Sequence, residues 1–267
     1  MKKIFQKFLI IMTVAAGTLA LPACGDNDKG DLNFSSYDFS VTADGADSDS
    51  LRAIMHDFDG RWTVNLSGIL PERLGDKDVS ILRDSLLVLA NLKEDEDGKL
   101  SVSLPSELKE LSEDRASSDS LKSKTPGSIL NHQLSLDLLT PKFAVFRSYT
   151  YSYPEGAAHP AFANGYLNYD IEKGRIILQT DIFTDGFSEM LRPAIYNRLA
   201  EQGVDLQLEK EEFFTTKQFR MTTSGVEFIY GIYEIAPYSD GEPTVFFTYS
   251  ELASLLKPAA KKMLLEE

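Results

Sequence analysis

Residues 224–249 leave few folds open to this chain. Phe219 and Met221 alternate with polar residues ahead of Ser224-Gly225, and Val226, Phe228, Tyr230 and Ile232 alternate after it. Two period-two apolar runs joined by a two-residue turn signal predict a β-hairpin. The chain then passes through Tyr233-Glu234-Ile235-Ala236-Pro237-Tyr238-Ser239-Asp240-Gly241, where Pro237 and Gly241 bracket a loop, into a further strand over 244–248. A loop that offers Pro and Tyr at a sheet edge admits two uses. Tyrosine gives a large contact area at low entropic cost, which suits a partner; equally, the ring can cap the protein's own core.

The residues leading up to this stretch continue the strand pattern. Leu134, Leu136 and Leu138 alternate, Pro141 interrupts, and Phe143, Val145, Arg147, Tyr149, Tyr151 and Tyr153 fall on one face of a long strand. A stripe of three tyrosines reads as a half-buried sheet face or as a binding platform. The connection 154–160 holds His159. Leu167, Tyr169 and Ile171 alternate again, and Glu172-Lys173-Gly174 predicts a tight hairpin with Gly174 left-handed. A helix is expected from near Asp185, with Phe187, Met190, Leu191, Ala194, Ile195 and Leu199 inward, Pro193 marking a kink or restart, and Gly203 as terminator. Residues 250–256 read as helical with Leu252, Leu255 and Leu256 inward, followed by a lysine-rich tail after Pro258.

The first half of the chain has strand patterns around one helix. Tyr37, Phe39 and Val41 alternate, as do Trp62, Val64 and Leu66, and Leu100, Val102 and Leu104. Val79, Leu82, Leu86 and Leu89 recur at helical spacing after Asp76 and Asp78, either of which can cap, and Ile81, Leu87 and Val88 widen the apolar stripe. Asp95-Glu96-Asp97-Gly98 fails as a calcium loop, because Lys93 and Leu104 occupy the positions of the first and last ligands. Asp44, Asp47 and Asp49 lie in a Gly/Ser-rich turn without a bidentate glutamate, and read as solvated.

Strands, helix, strands, helix in that order exclude a doubly wound parallel sheet. The expected fold class is α+β, a curved antiparallel sheet with a few packed helices. Residues 111–130 are Ser-, Lys- and acid-rich and predict a flexible linker or loop between an N-terminal α+β region (34–110) and a second domain (131–258), with 259–267 as a tail.

A Tyr-rich strand, Gly156-Ala157-Ala158-His159-Pro160, Tyr166-Leu167-Asn168-Tyr169-Asp170, a Gly turn, Asp181-Ile182-Phe183 before a helix, and Tyr233-Glu234-Ile235-Ala236-Pro237-Tyr238 with Gly241 come in one order. This order resembles the C-terminal domain of RsiV-type anti-sigma factors, a domain also carried by PdaC-type peptidoglycan deacetylases, over nearly half the chain. Where that family commonly has Gly-Gly-Ala-His, this chain has Ala157, which would strain a turn needing a positive φ there. The resemblance implies an RsiV/PdaC-like fold and a receptor for lysozyme or another cationic wall-degrading protein, or for peptidoglycan. It implies no chemistry, since the deacetylases keep theirs in a separate domain. The partner-binding candidates are His159, Tyr233, Glu234, Pro237, Tyr238 and Asp240.

The first residues bear on location. Lys2, Lys3 and Lys7 precede an apolar run over 8–21, the length of a signal-peptide core and short of a membrane span. Leu21-Pro22-Ala23-Cys24 resembles a lipobox, so residues 1–23 are expected to be a cleaved leader and Cys24 the lipidated residue that ties the protein to a membrane. The polar, acidic tether 24–33 resembles the start of Bacteroides-type surface lipoproteins, which implies the outer membrane, facing the periplasm or the exterior. Cys24 is the single cysteine, so no internal disulfide is available. The net charge of −14 becomes −17 once the three leader lysines are removed, which argues against nucleic acid as a partner and would steer cationic ones inward; the solubility of an exported protein accounts for the same charge equally well. No nucleophile elbow, phosphate loop, zinc-binding helix or nucleotide fingerprint occurs, and no cofactor is expected. The alternative is a peptidoglycan-directed hydrolase or deacetylase using carboxylates such as Asp170, Asp181, Glu234 or Asp240 with His159.

Overall fold

The structure, a computed structural model, describes residues 19–20, 32–43, 62–74, 77–90, 92–102, 128–153 and 157–265. Cys24, the acidic turn at residues 44–49 and most of the expected linker 111–130 lie outside the described residues.

A seven-stranded sheet is built from β1 (Leu19–Ala20), β2 (Leu32–Ala43), β3 (Trp62–Leu74), β6 (Ser128–Leu139), β7 (Phe143–Tyr153), β8 (Ala161–Asp170) and β9 (Arg175–Ile176), in that spatial order. All its pairings are antiparallel except β3 with β6, which are parallel. A parallel pair needs a crossover. Helix α1 (Ser80–Leu89) and the β4–β5 hairpin (Leu92–Glu94, Leu100–Val102) lie within it. Helix α1 buries Leu82, Leu86 and Leu87 against Leu66, Leu70, Leu134 and Phe146. Val79 is the N-cap and offers no side-chain cap, in place of the expected Asp76 or Asp78; Asp78, one residue earlier, accepts from Ser80 N–H at 2.9 Å, which holds its carboxyl below the usual range. The apolar stripe is narrower than expected: Ile81 and Val88 are 60 % and 77 % exposed. Arg83 clamps helix to hairpin through two bonds to Glu94, at 2.8 and 2.7 Å.

The sheet is buried on both faces along the first part of β7, residues 143–146. Ala144 and Phe146 face α1, while Phe143 and Val145 face a second core. That second core is closed by α2 (Gln179–Ile182), α3 (Phe187–Glu201), a three-stranded sheet β10-β11-β12 (Phe219–Met221, Gly225–Ile229, Thr244–Thr248) and α4 (Pro258–Leu265). The α+β expectation is met. Gly174 is left-handed, at φ 64°, as its hairpin requires. Ala157 does not adopt the positive φ that would have strained its turn.

Several local expectations are corrected. The β10–β11 turn is centred on Thr223-Ser224, with Gly225 already in β11, because Thr222 N–H donates to Gly225 O at 2.9 Å. Strand β11 ends at Ile229, and Tyr230 and Ile232 lie beyond it. Helix α3 runs through Pro193 without a break, and Met190 is 56 % exposed rather than inward. Residues 250–255 form turns in which Leu252 is buried, Leu256 after them bridges to Phe183, and the helix falls instead over the expected tail, where Ala260 enters the core. Pro258 begins that helix rather than ending one, since a missing N–H costs nothing at a first helical position.

Candidate functional site

The loop after β11 is held from beneath along its whole length. Tyr230 is buried, its hydroxyl donates to Phe214 O at 2.8 Å, and its N–H donates to Pro243 O at 2.9 Å; burial pushes the phenol's pKa well up. Gly231 to Glu234 form a turn closed by Glu234 N–H to Gly231 O at 3.1 Å. Its third residue, Tyr233, has φ 64°, a place where Gly or Asn is usual. The Glu234 carboxylate accepts from Gly231 N–H at 2.6 Å and steadies this turn. Ile235 and Ala236 are each 1 % exposed and anchor the loop in the second core.

Pro237 then starts a single 3-10 turn, Tyr238–Asp240. Asp240 N–H donates to Pro237 O and Gly241 N–H to Tyr238 O, both at 3.0 Å. The Asp240 carboxylate accepts from Asp205 N–H at 2.7 Å, tying the loop to the segment after α3. Glu242 reaches the other way and accepts from Asn164 N–H at 2.8 Å and from its side-chain amide. A bare N–H on the outer edge of β8 is thereby satisfied by a loop carboxylate.

On this base stands an aromatic knuckle. The ring of Tyr238 stacks on the imidazole of His159, 3.9 Å between centroids and 27° between planes. The Tyr233 hydroxyl lies 2.8 Å from His159 Nε2, and His159 Nδ1 lies 3.1 Å from Pro160 O. A carbonyl can only accept, so Nδ1 carries the proton and Nε2 accepts from Tyr233. Phe162 of β8 meets the edge of Tyr238 at 6.0 Å. Tyr233 remains 56 % exposed, His159 and Glu234 are exposed, and Pro237, Tyr238 and Asp240 are half-buried.

The structure therefore brings together His159, Tyr233 and Tyr238, which lie far apart in the chain. Glu234, Pro237 and Asp240 flank these rings, with both carboxylates engaged on backbone N–H groups. Phe162, opposite Tyr151 in the β7–β8 register, belongs with them, and no local sequence signal marks it. Both imidazole nitrogens have partners, the Pro160 carbonyl and the Tyr233 hydroxyl. Asp170 is spent on Lys173 and Asp181 on Leu178 N–H and Arg175. Among the described residues no group of three His, Cys, Asp or Glu side chains is placed to hold a metal ion, and no helix is long and apolar enough to cross a membrane.

No curated protein matches the chain. Among solved structures, a member of the DUF3298 family from Bacteroides fragilis is similar in fold, with a TM-score of 0.56 at 18 % identity over 90 % of this chain and 100 % of the other. A DUF3298 family protein from Pseudomonas aeruginosa is similar too, with a TM-score of 0.56 at 17 % identity over 86 % of this chain and 96 % of that one. Residues 180–250, from α2 through the hairpin and knuckle loop to the end of β12, match the family model DUF3298, protein of unknown function.

Proposed function

We propose that the chain is a non-catalytic binding lipoprotein of the cell envelope, anchored through lipid on Cys24, whose partner is lysozyme or another cationic wall-degrading protein. The observation that carries this reading is the knuckle: Tyr238 stacked on His159 beside Tyr233, on a loop whose backbone is bonded at Gly231, Ile235, Asp240 and Gly241. A preorganised aromatic surface loses little entropy on docking. The resemblance to RsiV-type receptor domains supports the choice of partner, and the chain's net charge of −14 supports a cationic one.

In this reading Pro237 and Tyr238 enter the partner's cleft, with Tyr233 and His159 bracing them. Calorimetric titration of the full chain with lysozyme tests it. Saturable binding that Tyr238→Ala weakens by about 2 kcal/mol or more is expected, the loss of one buried tyrosine anchor. An absence of heat and of co-elution with lysozyme would remove the partner; binding indifferent to Tyr238→Ala would move the site off the knuckle.

A further inference from the structure

Tyr233 is held in a strained place and left in the open. Its φ of 64° lies where glycine or asparagine is usual, yet 56 % of the residue stays exposed, so burial does not offset the strain. The ring is nonetheless fixed. Its hydroxyl is bonded to His159 Nε2 at 2.8 Å, and its centroid lies 6.0 Å from that of His159 and 5.7 Å from that of Tyr238. Those two rings stack on each other at 3.9 Å, so both approach Tyr233 from the same side and leave its other side to solvent.

The field at this open face is negative. The segments that build the knuckle, residues 157–165, 203–208 and 231–242, contain Asp205, Glu234, Asp240 and Glu242 and neither lysine nor arginine. The cation bonded to this framework is Arg147, on Asn164 Oδ1 at 2.7 Å, and Glu242 takes the backbone and side-chain N–H groups of the same asparagine. Glu234 and Asp240 accept from the N–H groups of Gly231 and Asp205. These carboxylates therefore act on a partner through their charge, with the protein's own backbone filling their hydrogen bonds.

A flat, open ring in a negative field selects a planar cation. A guanidinium is delocalised and weakly hydrated and lies face to face on an aromatic ring, whereas an ammonium is a compact point charge that keeps its water. We propose that the group the knuckle recognises on its partner is an arginine side chain, stacked on the open face of Tyr233 beside the Tyr238 anchor. This rests on the knuckle being the partner-binding surface and adds the chemistry of the contact: the partner presents arginine, and lysine does not substitute for it. The strained backbone at Tyr233 then has a use, since it presents a braced ring that the protein's own packing does not require.

Hexa-arginine and hexa-lysine carry the same charge and differ in the shape of the cation, so the test is calorimetric titration of the full chain with each at one salt concentration. Hexa-arginine is expected to bind with a Kd on the order of 0.1 mM and hexa-lysine about fivefold more weakly, the difference that one ring stack makes. Tyr233→Asn keeps a residue suited to the left-handed backbone and removes the ring, so it should bring the two peptides to equal affinity. Tyr233→Phe keeps the ring and should retain the preference to within about twofold. Tyr151→Ala, on the neighbouring stripe of β7, should leave the preference unchanged. Equal binding of the two peptides by the parent, a result that needs no variant to fold, would overturn the proposal, as would a preference that survives Tyr233→Asn or is lost in Tyr151→Ala. Lysozyme titrated beside the peptides keeps the two readings apart. Lysozyme binding that needs Tyr238, without any arginine preference, leaves the knuckle as the docking surface and removes arginine recognition; an arginine preference that needs Tyr233, without lysozyme binding, removes lysozyme and leaves arginine recognition in place.

Discussion

The side-chain amide of Asn168 takes the place of a neighbouring strand for Met221. Its Oδ1 accepts from Met221 N–H at 2.8 Å, while its Nδ2 donates to Phe219 O at 3.0 Å, and the residue is 2 % exposed. One amide thus docks β10, and with it the sheet that carries the knuckle loop, onto the open edge of β8. A second link lies nearby. The β6–β7 register shifts between Leu136 and Leu138, and Asp137 in that irregularity receives Arg220 at 2.6 Å.

Asn168→Ala strands a buried N–H and a buried C=O, each costing about 1–3 kcal/mol. A loss of about 2–4 kcal/mol in urea unfolding is expected. Asn168→Asp should be at least as harmful, because a carboxylate would then face the Phe219 carbonyl. Parent-like midpoints for both variants would show that the two sheets are held by packing alone.

His132 sits on the α1 face of β6, 3 % exposed, and neither ring nitrogen has a hydrogen-bond partner of good geometry among the described residues. Burial lowers its pKa from 6.5 to about 4, with a weak approach to the Leu89 backbone offsetting part of the effect. The folded state therefore binds fewer protons than the unfolded one between those values. Stability falls as pH drops below about 6.5, and the penalty is complete below about 4, at roughly 3 kcal/mol. His132→Leu should remove that component, so its stability between pH 7 and pH 4 should decline less than the parent's. Parallel declines would place the acid sensitivity elsewhere.

Gly225 shows how closely β11 and β12 approach. A Cβ there would stand 2.1 Å from Phe247 O, a backbone atom that cannot move aside. Gly225→Ala should cost about 3 kcal/mol or more through displacement of β12, at the upper end of overpacking penalties. Thermal unfolding measures it, and a change below 1 kcal/mol would mean that the strand shifts freely.

Much of this fold can be read from local pattern. Alternation located β2, β3, β6, β7 and β8, because a strand with one or both faces buried repeats every two residues. What joins the elements is written in single polar residues. Asn168 looks like any solvated strand position, and its partners lie 51 and 53 residues away. The outward side chains of α1 are not legible in the sequence, because Ile81 and Val88 are apolar yet exposed, a combination that periodicity cannot distinguish from core. In the knuckle, Tyr238 and its loop stand out as residue types. The contact of Tyr233 with His159 does not, since it depends on a left-handed tyrosine that no propensity favours.

Glu234 and Asp240 have two separable duties. Each carboxylate accepts from a backbone N–H, of Gly231 and of Asp205 respectively, and each also adds negative charge beside Tyr233 and Tyr238. Glu234→Gln and Asp240→Asn keep an acceptor oxygen and remove the charge. With a cationic partner such as lysozyme they should lower the association rate and flatten its salt dependence, leaving the dissociation rate nearly unchanged. Glu234→Ala and Asp240→Ala remove the acceptor as well, so the loop loses its bracing and dissociation should quicken. Stopped-flow association at several salt concentrations, with dissociation followed by competition, separates the two. If the amide variants alter only dissociation, the carboxylates touch the partner directly and steering comes from elsewhere on the acidic surface.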